Sequence, residues 1–207
     1  MERNLNVLVT ESERGAADEA TATLERAGHR VLRCHRPGAS AFPCKALVPG
    51  EQCPLDETEI DVALAVRSRP RSQPAPQEDG VTCALRRHIP LVVAGSPILD
   101  PFDEYATGVV ERGGDIVDAV VRAASAPLPQ HTEAAARTLR VVLDRREIRA
   151  SPVVAVVRDG GVLRVDVTGA EHLDRATRAM AAVRMTAAVR EIDTTARGID
   201  VAFHDAR

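Results

Sequence analysis

The stretch NVLVTESERGAADEATATLERAGHRVLRC, residues 6–34, decides the fold of the first part of the chain. Its first five residues, NVLVT, form a short apolar, β-branched run of the kind found in buried parallel strands. Residues 15–27 then place apolar side chains at helical spacing and end at Gly28, a common helix stop. HRVLRC, residues 29–34, returns to a strand pattern. This order predicts two parallel strands joined by a right-handed helical crossover.

The same alternation continues to about residue 125. Apolar runs and amphipathic segments predict three more strands at 60–66, 89–94 and 106–110, and two more helices at 78–87 and 115–124. Two long connections interrupt this pattern: residues 35–59 show no clear helix, and residues 67–77 are rich in Pro and Arg. We therefore predict an α/β domain over residues 1–125, with a five-stranded parallel sheet and an insertion at 35–59.

The layout of residues 5–125 resembles that of bacterial receiver domains. The shared features are the strand, acidic loop, helix, Ala-Gly-His and strand of the opening stretch, followed by IPLVVAGS, residues 89–96, and the helix at 115–124. The resemblance implies a flavodoxin-like sheet. It also implies that Glu11 and Glu13 stand for the family's acidic pair.

Several functional positions of the receiver family are changed in this chain. Ser96 corresponds roughly to the family's hydroxyl residue. Receivers place a phosphorylatable Asp at the end of the third strand, where this chain reads Val66-Arg67-Ser68. The family's lysine has no counterpart after the fifth strand, where Glu111-Arg112 stands. We therefore expect a degenerate receiver-like domain without phosphotransfer.

The C-terminal part changes to a different order of elements. Residues 126–131, APLPQH, indicate a linker, and Thr132 is placed to cap a helix over 133–148. Asp159-Gly160-Gly161 predicts a hairpin between strands at 153–158 and 162–168, followed by a helix at 171–192 and a strand at 199–204. The order αββαβ over residues 132–207 resembles small alkaline-shock or BON-type modules and implies a small α+β domain.

Apolar spacing also predicts which side chains of this C-terminal domain face its core. On the long helix these are Leu173, Ala176, Met180, Val183 and Ala187, and on the last strand they are Ile199, Val201 and Phe203.

Cys34, Cys44, Cys53 and Cys83 are the strongest chemical signal in the sequence. Their C-x9-C-x8-C-x29-C spacing lacks the tight pairs of zinc fingers and ribbons. Their predicted positions are more informative: Cys34 ends a strand, Cys44 and Cys53 lie in the loop that follows, and Cys83 lies in the helix after the third strand. All four are thus expected at the carboxyl edge of the sheet, where open α/β sheets bind ligands.

Four thiols at one place are suited to an iron–sulfur cluster or to zinc. The long, unequal spacings favour the cluster over zinc. Four thiolates around either group leave a negative charge of about −2. The basic residues that could balance it are the sequence neighbours Arg33, His35, Arg36, Lys45, Arg67, Arg69, Arg86 and Arg87. The alternatives are that the cysteines are small core residues or disulfide partners.

The composition excludes several other function classes. The net charge of −3 argues against a nucleic-acid surface, and 2% aromatic residues leave few side chains for stacking on bases. No apolar run or N-terminal segment predicts a membrane span or a secretory signal, so we expect a cytoplasmic protein. Lys45 is the only lysine, which is typical of an Arg-rich protein from a GC-rich bacterial genome.

Two functional hypotheses follow from the sequence. The first is a non-enzymatic, metal- or iron–sulfur-binding protein of regulatory or structural role, since no P-loop, dinucleotide fingerprint or nucleophile elbow is present. The alternative is a pseudo-receiver adaptor that acts through protein–protein contacts with no metal. For either, we expect a protein partner or a homodimer, because the small C-terminal sheet exposes strand edges without proline or lysine.

Overall fold

The chain folds into two compact units, Met1–Ala126 and Pro127–Arg207. The computed structural model describes residues 3–36, 40–95 and 99–205. The first unit contains a five-stranded, all-parallel sheet with helices, and the second contains a separate three-stranded sheet with helices. The predicted α/β class is confirmed.

The first unit has the strand order β2-β1-β3-β4-β5, which is that of a flavodoxin-like fold. The strands are β1 Asn6–Glu11, β2 Arg30–Leu32, β3 Val62–Arg67, β4 Leu91–Gly95 and β5 Gly108–Val110. The helices are α1 Asp18–Arg26, α2 Pro54–Glu57, α3 Asp79–Arg86 and α4 Ile116–Ser125. The predicted elements are all present, but β2 is three residues long rather than six. Cys34 therefore lies two residues beyond the end of its strand.

Both faces of this sheet are covered, which explains the continuous apolar runs in its central strands. On one face, Val7, Val9 and Leu64 pack with residues of α1 and α4. On the other face, Leu8 and Ala63 pack with residues of α2 and α3 and with Phe102. Cys34 belongs to this second cluster. The cysteine-bearing segments therefore share one face of the sheet.

The connection between β2 and β3 contains short ordered pieces that the sequence did not predict. A single 3₁₀ turn spans Lys45–Leu47, and α2 follows at Pro54–Glu57. Pro54 is the first residue of α2, where a missing backbone N–H costs nothing. These pieces are too short to give a periodic sequence signal.

The second unit contains an antiparallel hairpin and a third strand that runs parallel to the second strand of the hairpin. Its elements are α5 Pro129–Arg145, β6 Val153–Asp159, β7 Val162–Thr168, α6 Arg175–Ile192 and β8 Gly198–His204. The sheet order is β6-β7-β8, with β7 and β8 parallel. Its core lies between the sheet and the two helices, as the αββαβ order predicts.

The start of α5 differs from the sequence prediction. The helix begins at Pro129 rather than after Thr132, because a proline is well suited to the first position of a helix. The Thr132 hydroxyl does not cap the helix; it accepts a hydrogen bond of 3.0 Å from the Val156 backbone N–H. This residue therefore joins α5 to β6.

The predicted core stripe of α6 was wrong for four of its five residues. The buried residues of the helix are Thr177, Ala181, Met185 and Val189, and only Leu173, just before the helix, is buried as predicted. Val183 is 72% exposed and Met180 is 37% exposed. Alanines occur around the whole helix, so apolar spacing alone did not distinguish the two faces. On β8 the predicted core residues are only half-buried.

Among residues 3–36, 40–95 and 99–205, no helix is long and apolar enough to cross a membrane.

Candidate cysteine site

Four separate segments of the first unit bring the cysteines to the same face of the sheet. Cys34 follows β2, Cys44 directly precedes the 3₁₀ turn, Cys53 directly precedes α2, and Cys83 lies within α3. The Lys45 backbone N–H donates a 3.2 Å hydrogen bond to the carbonyl of Cys34. This bond returns the long loop to the end of β2 and places Cys44 beside Cys34.

All four cysteines line one cavity of about 400 Å³. The cavity wall is mostly apolar and includes Ala41, Phe42, Leu47 and Leu55. Cys34 lies at its buried end and Cys83 at its exposed end, with Cys44 and Cys53 between these extremes of exposure. The four cysteines thus line one cavity, and their predicted role as ligands of a common group stays a prediction.

Gly80 makes room for the buried end of this cavity. A Cβ at this position of α3 would lie 2.8 Å from the Cys34 sulfur and 3.0 Å from a methyl carbon of Thr10. The first distance is shorter than real Cβ contacts and the second is tighter than nearly all of them, so a larger residue here would have to displace the Cys34 side chain. The sequence carries one signal for it, a glycine inside a predicted helix.

The cysteine thiols are close enough to influence one another. Burial, followed by the neighbouring Cys53, Cys83 and Cys44 thiols, raises the pKa of Cys34 to about 12. Burial and Cys53 also raise the pKa of Cys83, against the charge of Arg86. Four negative thiolates would therefore repel one another in this cavity unless a cation replaced their protons.

His35 adds an unsatisfied polar group to the same wall. Both of its ring nitrogens are buried, and neither has a hydrogen-bond partner among the described residues. Burial lowers the pKa of this imidazole, which therefore favours its neutral form. A buried imidazole without a partner is unusual, since buried polar groups are normally hydrogen-bonded. It is available to a ligand that enters the cavity.

Most of the basic residues expected to balance the thiolates are engaged elsewhere. Arg33 contacts Glu11, Asp18 and Thr21, Arg36 pairs with Glu51, and Arg69 pairs with Glu13. Lys45 lines the cavity and lowers the pKa of Cys34, and Arg86 and Arg87 lower that of Cys83. Arg87 also pairs with Asp56, so the positive charge available at the site comes mainly from Lys45 and Arg86.

All four cysteines are free thiols, so the structure contains none of the disulfides considered as an alternative. Over the described residues, no group of three or more His, Cys, Asp or Glu side chains could hold a metal ion. A zinc ion needs four sulfurs, each about 2.3 Å from the same metal.

The third strand ends in a buried cation, within the stretch Val66-Arg67-Ser68 where the receiver resemblance implies an Asp. Arg67 ends β3 and is 3% exposed. Its Nε lies 3.1 Å from Glu78 Oε1, and its Nη1 lies 3.1 Å from Asp100 Oδ1. Its guanidinium also lies over the ring of Phe102, 5.8 Å from the ring centre. This triad joins β3 to the start of α3.

The acidic pair that the receiver resemblance implies is also engaged. Glu11 accepts a 3.2 Å hydrogen bond from the Ala17 backbone N–H, and Glu13 accepts a 2.8 Å hydrogen bond from the Ser68 hydroxyl. Ser96, the family's hydroxyl position, lies outside the described residues. These carboxylates therefore tie loops together at the carboxyl edge of the sheet.

Comparison of the chain with protein-family models and with curated proteins finds no match. The fold is flavodoxin-like, and the receiver resemblance rests on the residues quoted above.

Proposed function

We propose that this protein binds an iron–sulfur cluster through Cys34, Cys44, Cys53 and Cys83 and has a regulatory or structural role. The observation that carries the proposal is that the loop segments of Cys34, Cys44 and Cys53 and the separate helix of Cys83 place all four cysteines of the chain around one cavity. Incidental core cysteines have no reason to converge in this way. A cytoplasmic location would keep these thiols reduced and available.

A cluster suits this geometry better than zinc does. In a four-iron cluster each cysteine binds a different iron, so the sulfurs stand further apart than around one ion. The four cysteines come from different points of one cavity wall, which supports a ligand larger than a single ion. The buried imidazole of His35 would gain a partner if the cavity held the cluster's sulfides, since hydrogen bonds to the sulfurs are common at such sites.

The test is anaerobic reconstitution with ferrous iron and sulfide, followed by iron, sulfide and zinc analysis and a visible spectrum. We expect brown protein with about four irons and four sulfides per chain. Single Cys→Ser variants at the four positions should each lower the iron content, and Thr82→Ala, which changes a non-cysteine residue of the cavity wall, should not. Protein that contains zinc but no iron would indicate a zinc site instead of a cluster. Protein with neither metal would refute the proposal.

The second candidate is a pseudo-receiver adaptor that needs no metal. It is favoured by the buried Arg67 triad and the engaged Glu11 and Glu13, which leave the receiver-like edge without a phosphorylation site. Changing all four cysteines to Ser distinguishes the candidates. An adaptor keeps its thermal stability in that variant, whereas a cluster protein loses the stabilisation that the cluster gives its loop.

A further inference from the structure

One edge of the second unit's sheet is closed and the other is open. At the outer edge of β6, the Val156 carbonyl accepts a 2.7 Å hydrogen bond from the Leu128 N–H, and the Val156 N–H donates to the Thr132 hydroxyl at 3.0 Å. In the part of the chain that the structure describes, no strand pairs with the outer edge of β8. An open strand edge is a template for pairing with another chain.

The backbone groups at the open edge can be identified from the hydrogen bonds at the end of β8. The His204 carbonyl accepts a 3.1 Å hydrogen bond from the Gly169 N–H, just beyond β7, so His204 presents its backbone towards β7. Successive residues of a strand point their backbone groups to opposite sides. Ile199, Val201 and Phe203 therefore direct their N–H and C=O groups to the open edge.

The side chains of the same three residues are incompletely covered. They face the core between the sheet and the helices, yet all three are only half-buried. Their counterparts on the central strand, Leu163 and Val165, are fully buried. An additional strand beside β8 would extend the apolar face and cover Ile199, Val201 and Phe203.

We propose that this strand is β8 of a second copy of the chain, antiparallel and related by a two-fold axis at Val201. This register pairs Val201 with Val201 of the second copy and Ile199 with Phe203 of the second copy. All three outward-facing residues then form hydrogen-bonded pairs, and their apolar side chains lie on one face. The sequence of the strand is therefore complementary to itself.

Charge is compatible with this register and disfavours the one centred on Asp200. With the axis at Val201, Asp200 faces Ala202 of the second copy, and no like charges stand opposite each other. Moving the axis to Asp200 would oppose two carboxylates, which is unfavourable. The strand also carries no proline or lysine, the residues that commonly protect an open edge. The interface is thus specified by this strand and is independent of the cysteine site.

Sedimentation equilibrium of the full chain over micromolar concentrations tests the proposal. We expect wild-type protein at twice the chain mass of 22.2 kDa. Val201→Pro removes an N–H that points away from β7, so it should give 22.2 kDa with an unchanged far-ultraviolet circular dichroism spectrum. Val154→Pro removes an outward N–H from β6 instead and should remain a dimer.

Amide hydrogen exchange of the wild-type protein provides a test that needs no variant. The amides of Ile199, Val201 and Phe203 should become more protected as concentration rises, whereas the Val156 amide should not change. A mass of 22.2 kDa at every concentration, or a dimer in Val201→Pro, would overturn the proposal. Exchange at these three amides that is independent of concentration would also overturn it.

Discussion

Asp193 holds together the buried polar cluster of the second unit, and its removal should be strongly destabilising. The side chain is 1% exposed and accepts a 2.5 Å hydrogen bond from Arg158. It also accepts hydrogen bonds from the Thr195 N–H at 2.9 Å, the Thr195 hydroxyl at 2.7 Å and the Ala196 N–H at 3.1 Å. One carboxylate thus neutralises a buried guanidinium and stabilises the turn between α6 and β8.

The cost of Asp193→Ala follows from the charge that it leaves behind. Arg158 is 8% exposed, and removing one partner of a buried ion pair costs about 3–5 kcal/mol. Asp193→Asn leaves the same charge unneutralised but keeps an acceptor for Arg158 and for the turn, so we expect a smaller loss of about 1.5–3 kcal/mol. A domain that is stable by about 5–15 kcal/mol would be severely weakened by the alanine variant.

The assay is urea unfolding, with hydrogen exchange of peptides from residues 127–207 reporting on the second unit. Asp144→Ala, an exposed change on α5, is the control and should alter the free energy of unfolding by no more than about 0.5 kcal/mol. A loss below about 1 kcal/mol for Asp193→Ala would show that Arg158 finds another partner or reaches water, and the reasoning would fail.

The same carboxylate makes the stability of the second unit depend on pH. Burial would raise the pKa of Asp193, but the nearby His131 ring, hydrogen bonds from Thr195 and the charge of Arg158 outweigh it and hold the pKa well below its usual range. The unfolded state therefore binds the proton more tightly. The stabilisation is complete above the unfolded pKa of about 3.9 and is lost as the pH falls below it. Asp193→Asn should flatten this acid limb of the stability curve.

Three further predictions concern the first unit. Gly80→Ala places a methyl carbon 2.8 Å from the Cys34 sulfur. We expect iron uptake to fall and the free energy of unfolding to decrease by up to about 2 kcal/mol. Unchanged iron content would contradict this prediction. Glu78→Gln leaves the buried Arg67 without one of its two carboxylates. Urea denaturation should show that the free energy of unfolding falls by about 3 kcal/mol. A decrease of less than about 1 kcal/mol would contradict this prediction. In metal-free protein, iodoacetamide should modify buried Cys34 slowest and exposed Cys83 fastest, and equal rates by mass spectrometry would contradict the burial argument.

The sequence by itself determined the layer order of the first unit and predicted one region for the cysteines. Apolar runs that alternate with amphipathic segments allow few arrangements other than a parallel sheet with crossovers. Because every such strand ends at the same edge, Cys34 and Cys83 are assigned to one region without any knowledge of packing. The hairpin at Asp159-Gly160-Gly161 was equally clear, since turn chemistry is local.

The tertiary structure alone decided which helix face is buried and which charges meet. On α6, alanines fit either side, so contacts with α5 and the sheet selected Met185 rather than Val183. Arg67, Glu78 and Asp100 come from separate segments, and sequence neighbours of the cysteines such as Arg33 found carboxylates nearer than the thiols. Ion pairs depend on distances of a few ångströms between distant segments, and a one-dimensional pattern does not contain those distances.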